Sequence, residues 1–169
     1  VFDPYFDFQS KELTLLIKEI NNRGHEIGIH PGYECYKSSL NFNQAMNILN
    51  KCFLDNSINQ KETGGRMHCL RYDIVETPSL WENAGLAYDS SLGFAEKPGF
   101  RCGTCREFSM FDLHQQKPLG LTQRPLINME CSIVEDKYEG LGYSEEAEKR
   151  FLFFKRLVKK YNGKYTLLW

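Results

Sequence analysis

Helix-like segments alternate with short apolar runs along the chain, and this alternation constrains its fold more than any other feature. It is the pattern of βα units, in which helices cover a mostly parallel sheet, so the sequence predicts an α/β domain. Ser10 is placed to cap a helix whose Leu13, Leu16, Ile17 and Ile20 share one face and whose stop is Gly24. Residues 26–29 read as a strand running into His30, Pro31 and Gly32. A second amphipathic helix is expected over 42–53, with Phe42, Ala45, Met46, Leu49, Cys52 and Phe53 inward. A polar loop then leads to a strand over 67–72. Thr77 as N-cap, Pro78 in the first turn and Gly85 past the end signal a third helix that buries Leu80, Trp81 and Ala84.

A strand is expected over 87–92, a long loop with a short strand at 108–111 over 93–112, and another strand over 126–134. Ser144 opens the last helix, which runs through Leu152, Leu157 and Val158 to Gly163, and residues 165–169 form a final strand.

At 169 residues the chain is expected to be a single domain, since a domain of this size buries roughly 70% of its unfolded surface. Its formal net charge of -1 and scattered basic residues give no electrostatic footprint for nucleic acid. No stretch approaches the ~18–20 apolar residues of a membrane span, and no basic, then apolar leader is visible. The six cysteines, Cys35, Cys52, Cys69, Cys102, Cys105 and Cys131, fall in segments of different character and read as reduced thiols. That favours the cytoplasm. The chain opens at Val1 without a Met, which leaves a signal or a further domain upstream open, and oligomeric state is not legible.

In parallel α/β folds, chemistry sits on the loops leaving the C-terminal ends of strands. Those loops offer His30 and Glu34, then Arg71 to Asp73, then Asp89 to Ser91. The run Arg-Gly-His-Glu-Ile-Gly-Ile-His over 23–30 resembles the second motif of the NodB-type polysaccharide deacetylases. Leu70-Arg71-Tyr72-Asp73 resembles their third motif, the segment 77–93 the helix and strand that follow, with Asp89 at the fourth motif, and 165–169 the strand leading to the fifth.

The resemblance implies a partial, distorted (β/α) barrel and a metal-dependent hydrolase that removes N-acetyl groups from carbohydrate. On it His30 is a metal ligand, His25 leads into the strand, Arg71 orients the catalytic carboxylate, and Asp89 joins the catalytic set. Tyr33, Tyr72 and Arg101 are the expected substrate contacts. The metal implied is divalent, zinc first.

Two departures stand out. Glu34 occupies the place of the family's second His; a carboxylate is an ordinary zinc ligand, so His30 and Glu34 are the expected pair. The first motif, an Asp pair, is expected upstream of Val1, since Asp3-Pro4 matches it only superficially, and the final catalytic His is expected after Trp169. The 169-residue chain is accordingly expected to be inactive alone, with an extended product active. The competing reading is a non-catalytic carbohydrate-binding or interaction module on the same fold.

Three features fall outside the family's motifs. His68, in the expected strand, is a candidate for the layer behind the metal. Arg101 has a planar fork suited to a carboxylate or phosphate, or serves as a structural cation. Cys102 and Cys105 form a Cys-Gly-Thr-Cys pair that lacks the second pair of a zinc ribbon and the helix of a redox site, so loop packing is its better account.

Overall fold

The computed structural model describes residues 7–169, so the Asp3-Pro4 match lies outside the described residues. The chain is mixed α/β, with five α-helices and a small mixed sheet among the described residues, and no closed barrel. Helix α1 (Lys11–Asn22) starts as expected, the Ser10 hydroxyl accepting from the Leu13 N–H at 3.3 Å. Ile17 is its buried residue, whereas Leu16 is exposed. Helix α2 (Ser39–Asn56) is longer than its apolar stripe suggested because Ser38 caps it three residues before Asn41. Phe42, Met46 and Cys52 are buried on its inner face.

The principal sheet has the order β1 (Gly64–Gly65), β2 (Tyr88–Asp89), β4 (Lys117–Gln123), β3 (Phe108–Asp112). β1, β2 and β4 run parallel, and β3 returns antiparallel to β4. The expected strand over 26–29 is reduced to one parallel bridge, Ile29 to Gly65. The reason is local: the Gln60 side-chain amide takes both backbone groups of Ile27, at 3.0 and 2.8 Å, in place of a neighbouring strand.

The strand expected over 67–72 is also displaced. The ladder runs through Gly64 and Gly65, and the Ser91 hydroxyl then accepts the Met67 N–H at 2.9 Å, where a strand partner would continue. Cys69 and Leu70 follow at φ 53° and 52°, a left-handed turn no strand tolerates. Glycine is required at β1, because a Cβ on Gly65 would sit 2.8 Å from the Ile29 carbonyl carbon.

Helix α3 (Thr77–Asn83) differs from expectation at its start. Asp73 accepts from the N–H groups of Val75 and Glu76, which holds its carboxyl below its ordinary range, and Thr77 lies inside the helix with its hydroxyl donating to the Tyr36 carbonyl. Trp81 of α3 is fully buried, its ring centroid 5.7 Å from that of Phe42 in α2, and Met67, Leu119 and Leu121 complete this core under the sheet.

β4 was hidden from the sequence by Pro118 and Gly120, both poor strand residues. They are accommodated because this half of β4 has β3 alone as its strand neighbour, while the Glu82 carboxylate takes the N–H groups of Gly120 and Leu121 at 3.1 and 2.8 Å.

The rest of the chain forms a second core. The expected strand over 126–134 splits into β5 (Asn128–Met129) and helix α4 (Glu130–Val134), because so short an apolar run suits either period. β5 pairs in parallel with β6 (Leu167–Leu168). Helix α5 (Glu145–Lys160), capped by Ser144 as expected, buries Ala147, Phe154 and Val158, whereas Leu152 is exposed. Phe154 and Val158 meet Cys105 and Ile127 here. The bond from Leu126 N–H to Leu92 carbonyl, 3.1 Å, continues β2 toward β5 and joins the two sheets. No helix is long and apolar enough to cross a membrane among the described residues.

Candidate functional site

Register places one row of residues across the parallel strands: Ile29 beside Gly65, Gly65 beside Asp89, and Asp89 beside Gln123. Side chains alternate along a strand, so this row faces the helices, where Ile29, Asp89 and Gln123 are buried. The next residues in each strand, His30, Arg66, Ser90 and Arg124, form a second row at the C-terminal ends, turned to the opposite face. Backbone bonds fix this step: Arg66 N–H to Ile29 carbonyl at 3.0 Å, and Ser90 and Arg124 N–H to Gly65 and Asp89 carbonyls at 2.8 Å each.

Asp89 is fully buried. Burial lifts its carboxyl to about 6, against the Ser91 hydroxyl and N–H that donate to it, nearby Gln123, and the positive charge of Arg66. The Gln123 amide lies close enough to Asp89 to lower its carboxyl but falls outside strict hydrogen-bond geometry, and the buried Tyr72 hydroxyl has no hydrogen-bond partner among the described residues. Tyr72 is pushed up by burial and by the charges of Asp89 and Cys102, and Cys102 by its own burial, which puts these three groups in one poorly solvated pocket of the core.

On the opposite face Arg66 donates from Nε to the Ser90 carbonyl at 2.8 Å and from Nη2 to the Ser90 hydroxyl at 3.1 Å. Its burial lowers its pKa, partly offset by Asp89 and Tyr88. Among the described residues no carboxylate lies within ion-pair distance of it.

Arg71 is held differently. Its Cζ lies 3.8 Å from the Tyr33 ring centroid and 4.1 Å from that of Tyr36, between two tyrosines. Nη1 donates to the Tyr33 carbonyl at 3.0 Å and to Glu34 Oε1 at 3.1 Å. The Glu34 side chain is 67% exposed and meets Arg71 through one oxygen.

His68, in the turn after β1, brings its ring to 5.2 Å from that of His30, and the Tyr33 ring stands edge-on to it at 6.1 Å. His30, His68, Tyr33 and Arg71 are therefore contiguous at one end of the sheet. Among the described residues no group of three or more His, Cys, Asp or Glu side chains gathers to hold a metal. Two imidazoles with Zn–N distances of about 2.0–2.1 Å to a shared tetrahedral ion would have ring centres roughly 5 Å apart, which is the separation of the His30 and His68 rings.

The remaining expected residues lie apart from that group. Arg101 is exposed and donates to the Gly93 carbonyl at 2.9 Å. Cys102 lies beside Asp89, while Cys105 packs with Ile127 and Phe154 in the second core, so the two cysteines serve different cores. Arg66 was missed as a site residue because the strand was expected to begin at Met67. The signal available was Gly64-Gly65, a pair with room for close backbone approach, immediately before a charged residue. No protein-family model matches the chain, and no curated protein matches it significantly.

Proposed function

We propose that the protein is a metal-dependent hydrolase of the NodB deacetylase type, removing N-acetyl groups from carbohydrate on a partial, distorted (β/α) barrel. The observation that carries this reading is the His30–His68 pair at the C-terminal ends of parallel strands, where such folds place their chemistry. The barrel reading is supported by the run of parallel neighbours from Ile29 through β1 and β2, and by the bond that carries β2 on toward β5 and β6.

In this reading His30 and His68 would hold the ion, and Glu34, which meets Arg71 through one oxygen, could join them through the other. A bound divalent ion supplies a polarised acetyl carbonyl and an acidified water. The chain's own residues orient and position. Tyr33 and Tyr36 fix the plane of Arg71, whose Nε and Nη2 edge has no partner among the described residues and suits a carboxylate or a substrate oxygen. Asp89, too deep to touch substrate, acts through its field on Arg66.

The test is zinc or cobalt binding by calorimetry together with acetate release from chitin-type oligosaccharides. His30→Ala and His68→Ala are each expected to weaken metal binding at least tenfold. Metal affinity unchanged in both variants would overturn the reading. The Glu34–Arg71 contact favours a second reading, the non-catalytic carbohydrate-binding module, because it engages the carboxylate expected on the metal. Oligosaccharide binding without any metal binding would establish that alternative.

A further inference from the structure

Arg66 carries a feature that the hydrolase reading does not use. Its guanidinium is half-buried at the end of β1, and both of its hydrogen bonds go to neutral acceptors, the carbonyl and hydroxyl of Ser90. Nε and Nη2 make these bonds along one side of the guanidinium plane. The end-on edge, formed by Nη1 and the second N–H of Nη2, has no partner among the described residues.

Burying a cation against neutral groups is costly, and an anion of matching geometry offsets part of that cost. Asp89 acts on Arg66 through space, but it faces the helices and is engaged by Ser91. Arg124, the other arginine of this row, is already paired with Glu107 at 2.6 Å, which leaves Arg66 as the row's arginine without a carboxylate partner among the described residues. Ser90 fixes the orientation of the plane, and a fixed planar pair of N–H donors matches the two oxygens of a carboxylate.

We propose that the end-on edge of Arg66, in the row that contains His30, is a binding site for the carboxylate of a ligand. Two sources share this chemistry: free acetate of the kind a deacylation would release, and the carboxylate of an acidic sugar unit. The identity of the first source rests on the proposed hydrolysis; the site itself does not.

The probes are sodium acetate and sodium glucuronate, each compared with sodium chloride at matched ionic strength. The thermal unfolding midpoint of the wild-type protein is expected to rise saturably with at least one carboxylate beyond the chloride effect. That excess is expected to disappear in Arg66→Gln and to survive in Arg156→Gln, which removes an exposed helix charge of the same sign. In parallel, the wild-type protein is treated with an arginine-specific dicarbonyl reagent, and the effective carboxylate is expected to protect Arg66 at least severalfold, read by peptide mass spectrometry. This second measurement decides the matter if Arg66→Gln fails to fold.

A response to acetate alone assigns the site to released acetate, and a stronger response to glucuronate assigns it to an acidic sugar. An excess that persists in Arg66→Gln, or an Arg66 modified at the same rate with and without both carboxylates, overturns the proposal. Carboxylate binding in a protein that binds no metal would leave this site standing while removing the hydrolase reading. Metal-dependent acetate release with no carboxylate effect at Arg66 would do the reverse.

Discussion

Arg66 and Arg71 lie close in sequence and at the same end of the sheet, yet they are supported in opposite ways. Arg66 belongs to the ladder: its backbone is bonded to Ile29, its side chain to Ser90, and its charge is coupled to a fully buried acid. Arg71 follows a left-handed turn, is stacked between two tyrosines, and is ion-paired to an exposed glutamate. The first arrangement is rigid and electrostatically expensive, because solvent is partly excluded and few groups share the charge. The second is adaptable and inexpensive, since stacking tolerates small shifts and water screens the ion pair. A sequence motif favours the second arginine; desolvation marks the first.

The largest effect is expected from breaking the ladder under Arg66. Gly65→Val would drive a branched side chain into the Ile29 carbonyl and its neighbours, where backbone has no room to retreat. A loss of about 4 kcal/mol or more is expected, enough to abolish folding of a marginal domain. Urea unfolding of a variant that remains near wild-type stability would show that β1 is not the fixed support on which Arg66 stands.

The next effect sharpens the buried side of the comparison. Burial lifts Asp89 from an ordinary 3.8 to about 6, so the folded state holds its proton more tightly than the unfolded one. Stability from this group is fully present below about pH 4 and is lost as pH rises through about 6, amounting to about 3 kcal/mol. Asp73 and Asp112, held low by backbone N–H donors, change stability in the opposite direction, so the comparison must be made against a variant. Asp89→Asn removes the charge and keeps an acceptor for Ser91. Its stability relative to wild type is expected to rise between pH 4 and pH 7. A difference that stays flat across that range would mean Asp89 ionises normally and exerts no such strain.

These supports were unevenly legible in the sequence. The helices capped by Ser10 and Ser144 could be read because capping and an apolar stripe are local signals that tertiary contacts did not override. Strands two residues long carry no period to read, and their places were fixed by remote events: Gln60 replacing a neighbour at Ile27, and Ser91 ending the ladder at Met67. β4 was concealed by Pro118 and Gly120, which an edge position and Glu82 make tolerable. His30, Glu34, Arg71 and Asp89 were expected at the same strand ends; His30 and Arg71 lie there beside Tyr33 and His68, whereas Asp89 is buried facing the helices. Arg66 was not expected there, since displacing β1 from the expected strand moved the strand end onto a residue outside the expected motif.

On the exposed side, Arg71→Lys is expected to lower stability by less than Asp89 changes it and by more than Glu34→Gln does. Lysine keeps the charge but lacks the planar group that fills the space between Tyr33 and Tyr36. Chemical unfolding would measure the loss, and Arg71→Leu separates its causes. If leucine restores the stability, packing area dominates; if it does not, the cation over the rings matters.

The smallest effect on stability is expected from Glu34→Gln. The pair it breaks is solvent-exposed at the carboxylate and meets Arg71 through a single contact, so the change is expected to stay below about 0.5 kcal/mol and to shrink further with added salt. Its value lies in separating two roles of one carboxylate. If Glu34 acts only as the partner of Arg71, zinc affinity in the variant matches wild type, because the imidazoles of His30 and His68 are untouched. If the carboxylate also ligates an ion, affinity falls at least tenfold while stability without metal remains unchanged. The Arg71 cation over the two tyrosines would hold its place in either case, since stacking does not require Glu34. A loss of metal affinity together with a large loss of stability would contradict both roles, and would mean that this exposed pair supports the fold as firmly as the ladder supports Arg66.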